Sequence, residues 1–460
     1  MKTMTQGKIP GQLLVFAIPL IIGNILQQLY NTIDSYFIGK YVGENSFAAI
    51  GVASTIMNIF MFIIVGLCIG ASILMAQLYG AGNEEDYKKE FFTALFFGSI
   101  FTIAFSILGI IFMRPILHLI QTPAEIFDDA NLYLVTIVSG LIFTFFYNIY
   151  AAAFRSIGDS RPALMFLIIS TIIHILLDLL FVVNLKMGVF GVAFATVLSQ
   201  VLSVVLCVVY SYKKYPILKL SKKNMVVDMG MLKSTMQYSF VTASQQSSLY
   251  IGKLLVQSAI NPLGAGVIAA YAAVTRIEAL ILASGDGIAD AITVFVAQNL
   301  GAKEFKRMYK GFFTGFKMIF TYSVTASLLL FIFRQPFIEL FISPEKVQTI
   351  AVGMDYFKFM VFFYCIGQTG SSFQGFFRGV GQIKTTFWGT TIQISIRAIV
   401  SYMLASTLSL NGVAIATGIG WACCVTYQNI MYRRYKKKNA LIESEEQNKE
   451  LITNEQVDTI

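Results

Sequence analysis

Two stretches of this chain, about 221 residues apart, carry nearly the same residues. Ala76-Gln77-Leu78-Tyr79-Gly80-Ala81 returns as Ala297-Gln298-Asn299-Leu300-Gly301-Ala302, and Gly191-Val192-Ala193-Phe194-Ala195-Thr196 returns as Gly412-Val413-Ala414-Ile415-Ala416-Thr417. Gly43 with Gly264 and Ala48-Ala49 with Ala269-Ala270 keep the same offset, and Phe154-Arg155-Ser156-Ile157-Gly158 reappears two residues out of step as Phe377-Arg378-Gly379-Val380-Gly381. One offset held over most of the length marks a duplication, so the chain has to fold as two like halves.

What those halves are made of decides their solvent. Of 460 residues, 56% are hydrophobic and 13% charged, with a mean hydropathy of +0.69, which is more apolar surface than a water-soluble core can hide. Apolar stretches of about 18 residues or more are candidate membrane crossings. Twelve can be read, near 13–38, 47–79, 90–113, 130–153, 162–184, 190–212, 232–260, 267–300, 311–333, 352–376, 386–407 and 412–432. Six fall in each half, so both halves enter the membrane from the same side and are expected to be related by an axis along its normal. The expected fold is all-α and polytopic: a first six-helix lobe (1–212), a basic linker containing Pro216 (213–233), a second six-helix lobe (234–435) and a disordered acidic tail (436–460).

Lysine and arginine orient the spans. Loops sharing a side with the N-terminus carry 23 of them and the other side only five, Lys40, Arg114, Lys186, Arg334 and Lys346. This predicts a multi-pass protein of a bacterial plasma membrane with both termini cytoplasmic, and it accounts for the net charge of +9 as loop bias and lipid contact rather than nucleic-acid binding. The start, Met1 to Gly11, reads as the lead into a retained first helix, not a cleaved signal. All five cysteines lie in apolar segments, so neither a disulfide framework nor a metal pair is expected. Gly379-Val380-Gly381-Gln382-Ile383-Lys384-Thr385 lacks the glycine before the lysine and the preceding strand of a phosphate loop. The reading is therefore of a protein that is no enzyme and needs no cofactor, drawing on an ion gradient unless it is passive.

Ionisable groups within spans are costly and tend to face a cavity, a partner or an ion path. In the first half these are Asp34, with Tyr30 one turn before it on the same face, and Asp178, with His174 one turn before it; Thr196 in the sixth span offers a hydroxyl at similar depth. Two carboxylates brought together in a low dielectric need a proton or a cation between them, as a coupling-ion site does; the alternative is that Asp34–Tyr30 and Asp178–His174 merely tie helices together. Pro19 removes a backbone hydrogen bond on the first span and permits a hinge or a static kink there.

The second half departs from this pattern, since the positions matching Asp34 and Asp178 are Leu255 and the uncharged stretch near Ser401. Its buried charges are Lys253, Arg276, Glu278, Asp286, Asp290 and Arg397, which either cancel as ion pairs or line a substrate cavity. Asp286 and Asp290, one turn apart, repel unless Lys253, Arg397 or a cationic ligand lies between them. The 40 Phe, 22 Tyr and 18 Met suit either lipid packing or a cavity for varied aromatic cations.

Six plus six spans, an early Pro followed by Tyr30-x-x-x-Asp34-x-x-Phe37-Ile38-Gly39, the Ala-Gln-x-x-Gly-Ala turn after spans two and eight, Phe154-Arg155-x-x-Gly158-Asp159 after span four and Gly-Val-Ala-x-Ala-Thr in span six together resemble the multidrug and toxic compound extrusion (MATE) family, prokaryotic branch, from about residue 8 to 435. The resemblance implies a V-shaped pair of lobes exporting organic, mostly cationic compounds in exchange for protons or sodium. It assigns cation coupling to Asp34, Asp178 and Thr196, with His174 standing where the family has an asparagine, and maps the tyrosine and hinge positions to Tyr30 and Pro19. Imidazole titrates near neutral pH and is a poor sodium ligand, which turns the expectation toward protons. The expected partners are small organic cations and membrane lipids, on a monomer. Three other classes stay open: a lipid-linked oligosaccharide flippase of the same superfamily, which needs a strongly cationic cavity; a major-facilitator carrier, whose basic loop is not what Gly80 to Asp86 offers; and a membrane scaffold, which has no need of Asp34 and Asp178.

Overall fold

The computed structural model describes residues 4–457; the side chains of residues 29–32, 34–36 and 440–457 fall outside the described residues, as do residues 1–3 and 458–460. The tail expected at 436–460 therefore lies, from residue 440 on, beyond what can be compared. The described chain is helical throughout: α1 (Ile9–Tyr41), α2 (Glu44–Gly80), α3 (Glu84–Leu119), α4 (Ala124–Ser139), α5 (Leu141–Ser156), α6 (Arg161–Asp178), α7 (Gly188–Lys214), α8 (Met229–Ile260), α9 (Ala265–Gly301), α10 (Phe305–Glu339), α11 (Val347–Gly379) and α12 (Ile383–Val457).

These helices make twelve crossings. Among the described residues, nine are long and apolar enough to span a membrane, and the pair α4–α5, bent by 46°, adds a tenth. The bend sits at Gly140, where a Cβ would come within 2.5 Å of Val197 on α7, so only glycine lets the two helices touch. The eleventh arises because α12 is two spans. The backbone turns left-handed at Ser409 (φ 52°, ψ −137°) and doubles back, so that Gly420 faces Gln393 and Gly389 faces Gln428. The twelfth is α8, whose Ser239, Gln245 and neighbours make it too polar to pass as a span alone. Those polar groups are used internally: the Ser239 hydroxyl donates to the Leu67 carbonyl (2.9 Å) and the Gln245 amide to Thr390 Oγ1 (2.8 Å).

The duplication is written in the backbone. Eight of the eleven positive-φ residues described fall in matched pairs, Gly43 (φ 135°) with Gly264 (95°), Gly82 (70°) with Lys303 (58°), Gly158 (86°) with Gly381 (74°) and Gly188 (59°) with Ser409 (52°). α2 and α9 have the same length, 37 residues. The turns between them and their successors also fold alike, and local caps fix the starts: the Asn83 side chain accepts from the Asp86 N–H before α3, and the Asp228 side chain accepts from the Met231 N–H before α8.

The halves meet most closely at the face that carries the N-terminus. Met4, Ile9, Leu13, Phe16, Ala17 and Leu20 share one apolar core with Ile288 to Ala297 of α9 and with Phe376 and Phe377 of α11. The opening of α1 thus shares its apolar core with the second half, while Ser160 of its own half donates to the Phe16 carbonyl (2.8 Å) and, further along, Gly23 lies against Leu164 and Leu167 of α6. Between the two lies Pro19, buried in a helix that runs unbroken from Ile9 to Tyr41.

Candidate functional site

In the first half, α6 and α7 bring three of the expected residues together. His174 and Asp178 are both fully buried, one turn apart, with His174 Nε2 3.6 Å from Asp178 Oδ2. The same ring nitrogen lies 3.2 Å from Thr196 Oγ1 on α7, and the Thr196 hydroxyl also reaches the Val192 carbonyl at 3.0 Å. Among the described residues neither carboxylate oxygen of Asp178 receives a hydrogen bond. Asp178 closes α6, and a π-helical turn, Leu179–Asn184, follows it directly; such turns widen the backbone and recur at functional sites. Asp34 and Tyr30 lie on α1, and their side chains fall outside the described residues.

The second half places its charges in three different situations. Glu278 is buried and accepts hydrogen bonds from two tyrosines of α11, Tyr364 at 2.7 Å and Tyr356 at 3.1 Å. Arg397 donates to Tyr271 (3.3 Å) and, with Lys253, shares the electrostatic surroundings of Glu278. Asp286 is exposed although it sits mid-helix, one residue before Gly287, where α9 touches Ile21 of α1. Its carboxylate accepts from Ser371 of α11 at 3.3 Å, and Arg378 and Lys253 act on it electrostatically.

Asp290 is different again. The expected counter-charges were Lys253 or Arg397, but the cation within reach is Arg378 of α11, 3.6 Å away, and Arg155 of the first half also acts on Asp290 electrostatically. Both arginines belong to the 23 cations counted on the N-terminal side and so fall outside a search of the spans. The signal that could have found them was the duplicated Phe-Arg motif, since Arg155 and Arg378 are its matched pair. Arg276 stands apart, beside Phe341 and Lys346 at a pocket of the opposite face. A larger cavity, about 480 Å³, opens at the N-terminal face between Lys8, Gln12, Asp159, Arg161 and Tyr215. There burial and its 2.7 Å hydrogen bond to Asp159 push the Tyr215 phenol above its ordinary range.

The MatE family model matches this chain twice, over residues 19–180 and 242–403, one match in each half. The chain belongs to the MatE family. The first MatE match contains Asp34, His174 and Asp178, and the second contains Lys253, Glu278, Asp286, Asp290, Arg378 and Arg397. Among its relatives, the probable multidrug resistance protein YoeA of Bacillus subtilis (strain 168) is 26% identical over 73% of this chain and 74% of its own. YpnP of the same organism, also named a probable multidrug resistance protein, is 24% identical over 94% and 97%. A solved structure, the outward-facing conformation of a multidrug resistance MATE family transporter, superposes with a TM-score of 0.88 at 20% identity, covering 95% of this chain and 98% of its own; at that identity the likeness is one of fold. The protein is thus a multi-pass membrane transporter of the MatE family with twelve helices in two parallel-repeat lobes.

Proposed function

We infer that this MatE protein is a secondary multidrug exporter, moving organic, mostly cationic compounds out of the cell by antiport with protons, from a plasma membrane in which its N-terminal face is cytoplasmic. One observation carries the reading. The Asp178 carboxylate is buried within a span, hydrogen-bonded by no described residue, and faced by an imidazole that a hydroxyl in turn contacts. A carboxylate cannot stay charged in such a place without a proton or a cation, so the group is a natural carrier for the coupling ion. Asp34 and Tyr30 complete this site in the reading, and the sequence of its relatives' names, multidrug resistance proteins, supports the cargo. Asp286 supplies the charge that favours cationic cargo, with Glu278, Asp290, Lys253 and Arg397 around it. The boundaries 1–212, 213–233 and 234–435 delimit the two lobes and their linker in this scheme, and Pro19 is the place where α1 bends.

The test is uptake of a fluorescent organic cation into inverted vesicles with proton and sodium gradients imposed separately. Gradient-driven uptake that falls to background in Asp178→Asn, with the protein still inserted and folded, is the expected result. Uptake unaffected by Asp178→Asn removes the residue from coupling and leaves it a helix tie.

A further inference from the structure

We propose that Gln77 and Gln298 are the gate residues of the N-terminal face, two reciprocal clasps that must both let go before the space between the halves can open there. Gln77, at the end of α2, donates its side-chain amide to the Gly379 carbonyl at the end of α11, 2.9 Å away. Gln298, at the end of α9, donates to the Ser156 carbonyl at the end of α5, 2.7 Å away. The two glutamines are mates in the repeat, and so are the two carbonyls, because Ser156 and Gly379 hold the same place in the duplicated Phe-Arg motif. Each glutamine therefore reaches across to the opposite half, and the pair obeys the internal symmetry of the fold.

The surroundings fit a gate rather than a general packing contact. The ends of α2 and α9 touch backbone to backbone: a Cβ on Gly80 would lie 2.0 Å from the Gln298 carbonyl oxygen, and one on Gly301 would lie 1.9 Å from the Gln77 carbonyl oxygen. No side chain can intervene, so the crossing is sealed when the amides are engaged. Directly before each accepting carbonyl stands an arginine, Arg155 or Arg378, and Asp290 acts on both. On one side a further strap is added. Gln298 Oε1 accepts from the Met4 N–H (2.9 Å), and Arg307 donates to the Met4 carbonyl (3.1 Å), the Gly7 carbonyl (2.9 Å) and Gln12 Oε1 (2.7 Å). Neutral amide-to-carbonyl bonds suit a contact that is broken and remade in each cycle, because water replaces them at little net cost, whereas a buried interlobe ion pair would be hard to open. The cytoplasmic placement of this gate rests on the orientation inferred above; its existence does not.

The experiment reads accessibility. Ser371→Cys, beside Asp286, is placed in a background in which Cys68, Cys207, Cys365, Cys423 and Cys424 are replaced, and a membrane-impermeant maleimide is applied to right-side-out and to inverted vesicles. Gln77→Met and Gln298→Met keep the volume and remove the donor. The expected result is faster labelling from the N-terminal side in each single variant and an increase of about tenfold in the double variant, for two neutral hydrogen bonds lost. Gln77→Ala and Gln298→Ala repeat the measurement should the methionine variants insert poorly. Unchanged labelling from both sides in a folded double variant overturns the proposal, as does transport lost without any change in accessibility. Faster labelling from the extracellular side instead keeps the clasp as a gate and overturns only the orientation. Because the readout needs no drug and no ion gradient, its outcome is independent of the export reading.

Discussion

Asp290 lies 3.6 Å from Arg378, an arginine of the same lobe that precedes the carbonyl clasped by Gln77. Its neighbour one turn earlier, Asp286, is exposed and accepts from the Ser371 hydroxyl, with Arg378 and Lys253 acting on it from further away. Two acids that look equivalent on the helix therefore stand in different surroundings.

The two single amides are expected to behave differently. Asp286→Asn weakens recognition of cationic compounds, with apparent affinity falling about tenfold or more as a buried charge contact worth roughly 1.5–3 kcal/mol is lost, while neutral compounds are little changed. Asp290→Asn leaves Arg378 without its partner and lowers export of cationic and neutral compounds alike. Dose–response curves for a matched cation and neutral analogue decide it; parallel losses in Asp286→Asn mean that the residue serves folding alone.

Coupling to protons sets a voltage rule. One pH unit with 100 mV offers about 1.4 plus 2.3 kcal/mol per proton, yet one proton exchanged for one monovalent cation moves no net charge and feels only the first. Export of a monovalent cation at that stoichiometry is expected to follow the pH gradient and ignore a valinomycin-clamped potential, and two protons per cation restore a voltage dependence. If a sodium gradient at clamped pH drives export and a proton gradient does not, His174 is a helix tie and protons are not the coupling ion.

Orientation is open to chemistry at two lysines. With cysteines at Lys222 and Lys186 in turn, an impermeant thiol reagent added outside intact cells is expected to label the second and spare the first. The reverse pattern inverts the topology and moves the proposed gate to the extracellular side.

At the crossing of α2 and α9, Gly80→Leu is expected to destabilise the protein by about 1–3 kcal/mol, the range for forcing bulk into a filled contact. Thermal unfolding in detergent measures it. A melting curve identical to that of the native chain would show that the two backbones do not approach as described.

Much of this architecture was legible because the repeat is strong where the backbone is constrained. Gly43, Gly82 and Gly158 announce turns that their mates reproduce, and the i to i+4 spacing of His174 and Asp178 placed both on one face before any coordinates. The hairpin at Ser409 is harder to see, because serine stands where the first half has Gly188. The partners of the second-half acids were not legible. Asp290 and Arg378 are on different helices, as are Glu278 and its tyrosines Tyr356 and Tyr364, and no periodicity within one helix reports which residue of another it will meet. The reciprocity of Gln77 and Gln298 was hidden for the same reason: the repeat shows that both exist, and only the folded chain shows that each reaches into the other half.

The strap around Met4 bears on how the protein is made. Arg307, which holds the Met4 carbonyl, is 303 residues further along the chain, and Gln298 and Asn299, which hold the same residue, are nearly as distant. Synthesis proceeds from the N-terminus, and domains fold as they emerge, but the side chains that hold Met4 have not been translated when the first lobe is complete. The seating of Met4 is complete only when α9 and α10 have entered the membrane. Residues of one half are thus held in place by side chains translated some three hundred residues later.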